Sequence, residues 1–165
     1  MSEIPSTPAD GNVKVVFVPA IADTAAPKLS ELTAASVVDI SCYLTEFTPS
    51  VDESEIEDER LCSTETFEQP GRIKHSLEGT YIDNTNSPDD DQNAAAETLV
   101  RGVVGFIVQR RGVPFDTAFA ADQKVKVWPI KAGVQNSVAP EANSVLKTQQ
   151  KFFVTGKTTD SVVAA

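Results

Sequence analysis

Two stretches of strict two-residue alternation constrain this chain more than anything else in it. Val38, Ile40, Cys42 and Leu44 alternate with Asp39, Ser41, Tyr43 and Thr45. Ile73, His75, Leu77, Gly79 and Tyr81 alternate with Lys74, Ser76, Glu78 and Thr80. A period of two puts one set of side chains on each face of an extended strand, so both stretches predict half-buried β-strands, over 38–44 and 72–83. Between them lies an acidic stretch holding Glu46, Asp52, Glu53, Glu55, Glu57, Asp58 and Glu59, with no base before Arg60. Such a density of charge must be solvated, bound to cations, or used to repel another polyanion.

The rest of the chain extends the β pattern. Residues 13–18 are β-branched and aromatic and predict a first strand ended by Pro19. Pro27 can start a short helical turn through Leu29 and Leu32. Further strands are expected over 105–110, 124–130 and 145–155. In the last, Leu146, Thr148, Gln150, Phe152 and Val154 share a face opposite Lys147, Gln149 and Lys151. Residues 61–67 read as extended up to a turn at Pro70 and Gly71, and 84–91 as a loop. One helix is expected from Gln92 or Asn93 to about Gly102, with Ala96, Leu99, Val100 and Val103 on its apolar side and Asp91 or Asn93 as cap. Gly102 and Gly105 suit a helix end and a close turn into the next strand.

One helix against many strands predicts a mainly β fold, a β-sandwich or partly closed barrel with a flanking helix and extended arms. With 165 residues, one domain is expected over 13–156, between a flexible N-terminal arm at 1–12 and a C-terminal tail at 157–165. Residues 46–71 form a long acidic loop or hairpin within it. Mutual repulsion among its acids predicts that 46–69 stays open until neighbouring subunits supply partners.

Composition excludes several classes of function. A net charge of −10 opposes non-specific binding to nucleic acid or anionic membrane. The apolar runs are too short to span a bilayer and the N-terminus lacks a secretory core, so the chain reads as soluble and used without export. Cys42 and Cys62 show neither metal nor redox spacing and read as small apolar residues. His75, the only histidine, has no nucleophile or acid pattern beside it and reads as a packed or edge residue. Asp89, Asp90 and Asp91 lack the ligand spacing of a calcium loop and read as helix-capping acids. No catalytic residue, cofactor or metal is expected. Arg101, Arg110 and Arg111 read as a solvated patch or as partners for the acids of a neighbouring subunit. Trp128 reads either as a core aromatic or as an interface anchor.

The order of these elements resembles the major tail tube proteins of long-tailed bacteriophages, especially those infecting actinobacteria. The resemblance rests on VDISCYL at 38–44, the acidic stretch running into DERLCST at 58–64, and QPG at 69–71 followed by SLEGTY at 76–81. It continues through the alanine-rich helix into GFIVQRR at 105–111 and ends with QQKFFVTG at 149–156. It implies a structural virion protein without enzymatic activity, assembled into stacked hexameric rings as a tube for genome delivery. A long loop and terminal arms would tie ring to ring. It also implies tape measure, tail terminator and tail tip proteins as partners, and passage of double-stranded DNA without specific binding. The location implied is the virion tail, after assembly in the host cytoplasm, with no membrane involved. Edge-strand lysines such as Lys124, Lys126, Lys147 and Lys151, together with Trp128, Arg110 and Arg111, are then interface candidates. The acids from Glu46 to Glu59 become lumen or inter-ring candidates, a surface on which DNA phosphates find no partner. A monomeric β-sandwich binding module, such as a capsid decoration or adhesion domain, is the alternative reading.

Overall fold

The computed structural model describes residues 2–165. Its strands are β1 (Val13–Val18), β2 (Val38–Asp39), β3 (Leu44–Asp58), β4 (Phe67–Ile82), β5 (Val104–Arg111), β6 (Lys124–Ser137), β7 (Lys147–Val154) and β8 (Thr159–Val162). Two short helices, α1 (Leu29–Leu32) and α2 (Ala94–Thr98), complete it. All eight strands belong to one antiparallel sheet in the order β2-β1-β5-β6-β7-β4-β3, with β8 on β6. Of the two forms expected from the sequence, the sheet takes that of the partly closed barrel.

Burial explains the curl. The middle parts of β1, β5 and β6, Val15–Val18, Phe106–Val108 and Val127–Ile130, are covered on both faces, which is why they read as short apolar runs. On one face Val15, Phe17, Ile107, Trp128 and Ile130 meet Leu77, Tyr81 and Phe152 from the other half of the sheet, closed over by Ala95 and Leu99. On the other, Val16, Val18, Val108, Val125 and Val127 lie under Leu32, Phe119 and Val163. Pro129 has no N–H to donate, yet it sits inside a central strand. It falls where β6 changes partners, from β8 at Lys124–Val127 to β7 from Ile130 onward.

Several expectations are corrected. Over 38–44 only Val38 and Asp39 pair with β1. The Asp39 carboxylate accepts the Ser41 N–H at 2.9 Å, and the Ser41 hydroxyl accepts the Val15 N–H at 2.8 Å while donating to the Val15 carbonyl at 3.1 Å. These side-chain bonds take the place of a strand ladder, and the chain turns at Ile40. Cys42 is therefore exposed; Cys62 is exposed too, and both are free thiols rather than core residues.

The flanking helix is shorter than expected and stops at Thr98. Its last carbonyls are claimed from outside: Gln135 Nε2 donates to Ala96 and Leu99 at 2.8 and 3.1 Å, and Gln150 Nε2 donates to Leu99 at 2.7 Å. Val100 is exposed, Gly102 takes a left-handed φ of 90°, and Gly105 lies within β5 instead of a turn. Neither Asp89 nor Asn93 makes a side-chain cap. Asp89 accepts from Gln92 at 2.7 Å, and Asn93 Oδ1 accepts the Asn84 N–H at 3.2 Å.

Residues 46–58 are already β-strand within one chain, so the acidic stretch is one limb of a hairpin and not an open loop. Pro70 and Gly71 lie inside β4, and the chain reverses between β3 and β4 beside Arg60, whose carbonyl accepts the Ser63 N–H at 3.0 Å. Residues 157–165 are not a tail. They supply β8, bury Val163, and pair Ala164 with Lys28.

Candidate assembly surface

Strand β7 pairs with β4 only over Leu77–Ile82, so residues 67–76 and their β3 partners run on beyond the sheet as a two-stranded arm. At the strand rise, this arm is about 30 Å long. Near its middle, Ser54 stands opposite both Gly71 and Arg72. The Ser54 hydroxyl accepts the Arg72 N–H at 2.8 Å and donates to the Arg72 carbonyl at 3.2 Å. The register shift there marks a β-bulge, which bends and twists the arm. The far edge of β3 has no partner strand among the described residues. A free edge this long invites another strand, and its acids guard it against indiscriminate pairing.

Register divides the acidic candidates between two faces. Glu53, Glu55 and Glu57 share the face that carries Phe47 and Val51 on β3 and Leu77, His75, Ile73 and Glu68 on β4. That face starts in the core, continues through half-exposed Val51 (57%) and Ile73 (58%), and ends in carboxylates. Glu46, Asp52 and Asp58 are on the opposite face, with Ile56 and Phe67. There the charges are mixed: Asp52 lies across from Lys74, and Glu78 across from Lys151. Arg60 holds Asp58 at 2.8 Å and keeps its carboxyl below the usual range. Glu59 lies beyond the end of β3, in the reversal. The acids therefore do not form one belt.

The basic candidates separate just as clearly. Arg110 is 1% exposed, and so is no solvated patch and no partner for an outside acid. Its guanidinium donates to the carbonyls of Pro114, Thr117 and Ala118 and to Gln123 Oε1, at 2.7 to 3.1 Å, and stacks on Phe119 at 5.1 Å. It pins the 112–123 loop; burial lowers its pKa, with Asp39 opposing. Trp128 is also 1% exposed and takes the core reading, its ring edge-on to Phe47 with centroids 5.7 Å apart. Arg101 is exposed at the turn after α2. Lys147 is half-buried beside Glu46, and Lys151 is exposed over the Phe153 ring.

Lys124, Lys126 and Arg111 come together. With Gln109, Asp160 and Val162 they line an open groove of about 540 Å³ along β5, β6 and β8. Asp160 reaches Lys126 at 3.7 Å, while Arg111 and Lys124 have no ion-pair partner among the described residues. The sequence reading missed Asp160, because 157–165 was expected as a tail. It also missed Glu68, whose face depends on a bulge that only the glycine at 71 signals.

His75 is half-buried, its Nδ1 enclosed without a hydrogen-bond partner. Among the described residues no three His, Cys, Asp or Glu side chains are placed to hold a metal, and no helix is long and apolar enough to cross a membrane. A buried polar pair does stiffen the sheet beneath the arm. Tyr81 donates to Gln150 Oε1 at 3.1 Å, and Gln150 Nε2 donates to Gly133 at 2.9 Å. Burial pushes the Tyr81 hydroxyl up to about 12.

A family model described as phage tail tube protein matches residues 1–165. No curated protein matches the chain. Among solved structures, a chain from the cryo-EM structure of the anti-feeding prophage (AFP) baseplate, 6-fold symmetrised, is similar at a TM-score of 0.51 and 11% identity. The match covers 96% of this chain and 98% of that one, and at this identity the likeness concerns the fold.

Proposed function

This chain belongs to the phage tail tube protein family, and from that membership we propose that it forms hexameric rings that stack into the conduit for genome delivery. It is a structural component of the virion tail. The observation that carries it is the unpartnered edge of β3, fifteen residues long at the end of an eight-stranded sheet. A sheet with such an edge is completed by another copy, and a ring of copies leaves no edge open. The six-fold symmetry of the baseplate that contains the structural neighbour fits a hexamer.

The lumen is assigned to the uncovered polar face bearing Glu46, Asp52, Glu78, Lys74 and Lys151. Its signs alternate, so it offers DNA phosphates no net attraction, which is what a conduit needs. The protein acts without catalysis or cofactor. Tape measure, terminator and tip proteins would set the tube's length and ends, and assembly would take place in the host cytoplasm. Electron microscopy of the concentrated protein, with and without tail extract, tests the reading. Six-fold rings or tubes are expected, and a monomer under every condition would refute it.

A further inference from the structure

Two exposed surfaces of this chain are complementary, and they lie on different parts of the sheet. The first is the acid-bearing face of the arm, where Glu53, Glu55, Glu57 and Glu68 follow the apolar pair Val51 and Ile73. The second is the groove of Arg111, Lys124 and Lys126, floored by the backbone of Val125 and Ser161 and edged by Val162, which is 46% exposed. Neither is satisfied within the chain. None of the four glutamates makes an ion pair among the described residues, and Asp160 neutralises only one of the three bases. Register puts β8 and β5 across β6, and the arm extends past the opposite half of the sheet beyond Leu77.

We propose that the acidic face of the β3–β4 arm docks in the Arg111–Lys124–Lys126 groove of a second copy of this chain. The proposal rests on the tube reading and specifies one contact within it. Four carboxylates against a groove with two uncompensated bases give attraction over the arm's length, and Val51 and Ile73 supply apolar surface for Val162 to cover. Since the arm is a formed hairpin, docking costs less ordering than a disordered segment would. The contact also gives the net charge a use, because free subunits repel one another except where this pair of surfaces meets.

Charge reversal and its repair test the contact. Purified tubes would be counted by electron microscopy for the wild type, for the groove variant Arg111→Glu/Lys124→Glu, for the arm variant Glu53→Lys/Glu55→Lys/Glu57→Lys, and for a chain carrying both sets. Each single-set variant should lower tube yield by about tenfold or more, and the combined chain should restore most of it. All the replaced side chains are exposed, and circular dichroism of the monomers checks that they fold. If wild-type tubes form and neither single set lowers the yield, or the combined chain fails to recover, the docking is wrong while the tube reading stands. If the wild type never assembles, the tube reading itself falls. Fluorescence anisotropy with a short DNA duplex covers the other occupant. Groove-dependent binding of the duplex, with assembly unaffected by the reversals, would make the groove a phosphate site and overturn the proposal.

Discussion

A Cβ placed on Gly71 would lie 2.6 Å from the Ser54 carbonyl oxygen and 2.7 Å from its hydroxyl. The two backbones approach this closely because Ser54 bonds both backbone groups of Arg72 across the bulge. No larger residue fits at 71 unless the arm opens.

Gly71→Ala should therefore loosen the arm while sparing the core, since Leu77, Tyr81 and Phe152 are far along the ladder. The cost is about 1–3 kcal/mol, confined to local opening. Hydrogen exchange at residues 50–58 and 67–76 reads it: faster exchange in the arm, unchanged protection in β5 and β6.

Arg110 is the chief tie of the 112–123 loop. Arg110→Ala removes donors to three carbonyls and to Gln123, and should cost about 2–4 kcal/mol. Arg110→Lys should recover only part of this, because an ammonium cannot reproduce the planar fork. The midpoint of denaturant unfolding checks both. An Arg110→Ala midpoint within error of wild type would mean the loop is held by other contacts.

Tyr81 makes stability depend on alkaline pH. Its folded pKa, about 12, lies above the ordinary tyrosine value of roughly 10. The raised value means the contribution is complete below pH of about 10 and is lost as pH rises through 10 towards 12. Wild type should lose stability across that window more steeply than Tyr81→Phe, measured as paired unfolding midpoints.

The face assigned to the lumen should be sensitive to charge, although it is not purely acidic. Converting Glu46, Asp52 and Glu78 to lysine turns a face of three acids and two lysines wholly basic in every subunit. Tubes should still form, and genome ejection should slow, more so at low salt where phosphate attraction is least screened. Normal ejection at low salt would move the lumen to another face.

Much of the fold could be read from local pattern, and what could not depends on contacts between distant residues. The alternation through Leu77 and Tyr81 and through Thr148, Gln150 and Phe152 placed buried side chains correctly, because a period of two survives wherever one face meets a core. The same alternation misled at 38–44, where Ser41 bonds Val15 instead of continuing a ladder. The helix end was hidden because Gln135 and Gln150, which terminate it, lie far away in sequence. Arg110 was expected at the surface and Trp128 was open to two readings, because burial of a long polar or aromatic side chain leaves little local signature. The acids were visible as a group, but their division between two faces needed the register with β4.

If β3 completes its sheet against another copy, a cryo-EM reconstruction of assembled tubes will show the pairing. Six subunits per ring should appear, with the free edge of Leu44–Asp58 hydrogen-bonded to a strand of the neighbouring subunit. Rings in which that edge faces solvent, or a protein that stays monomeric at high concentration with tail extract present, would contradict it.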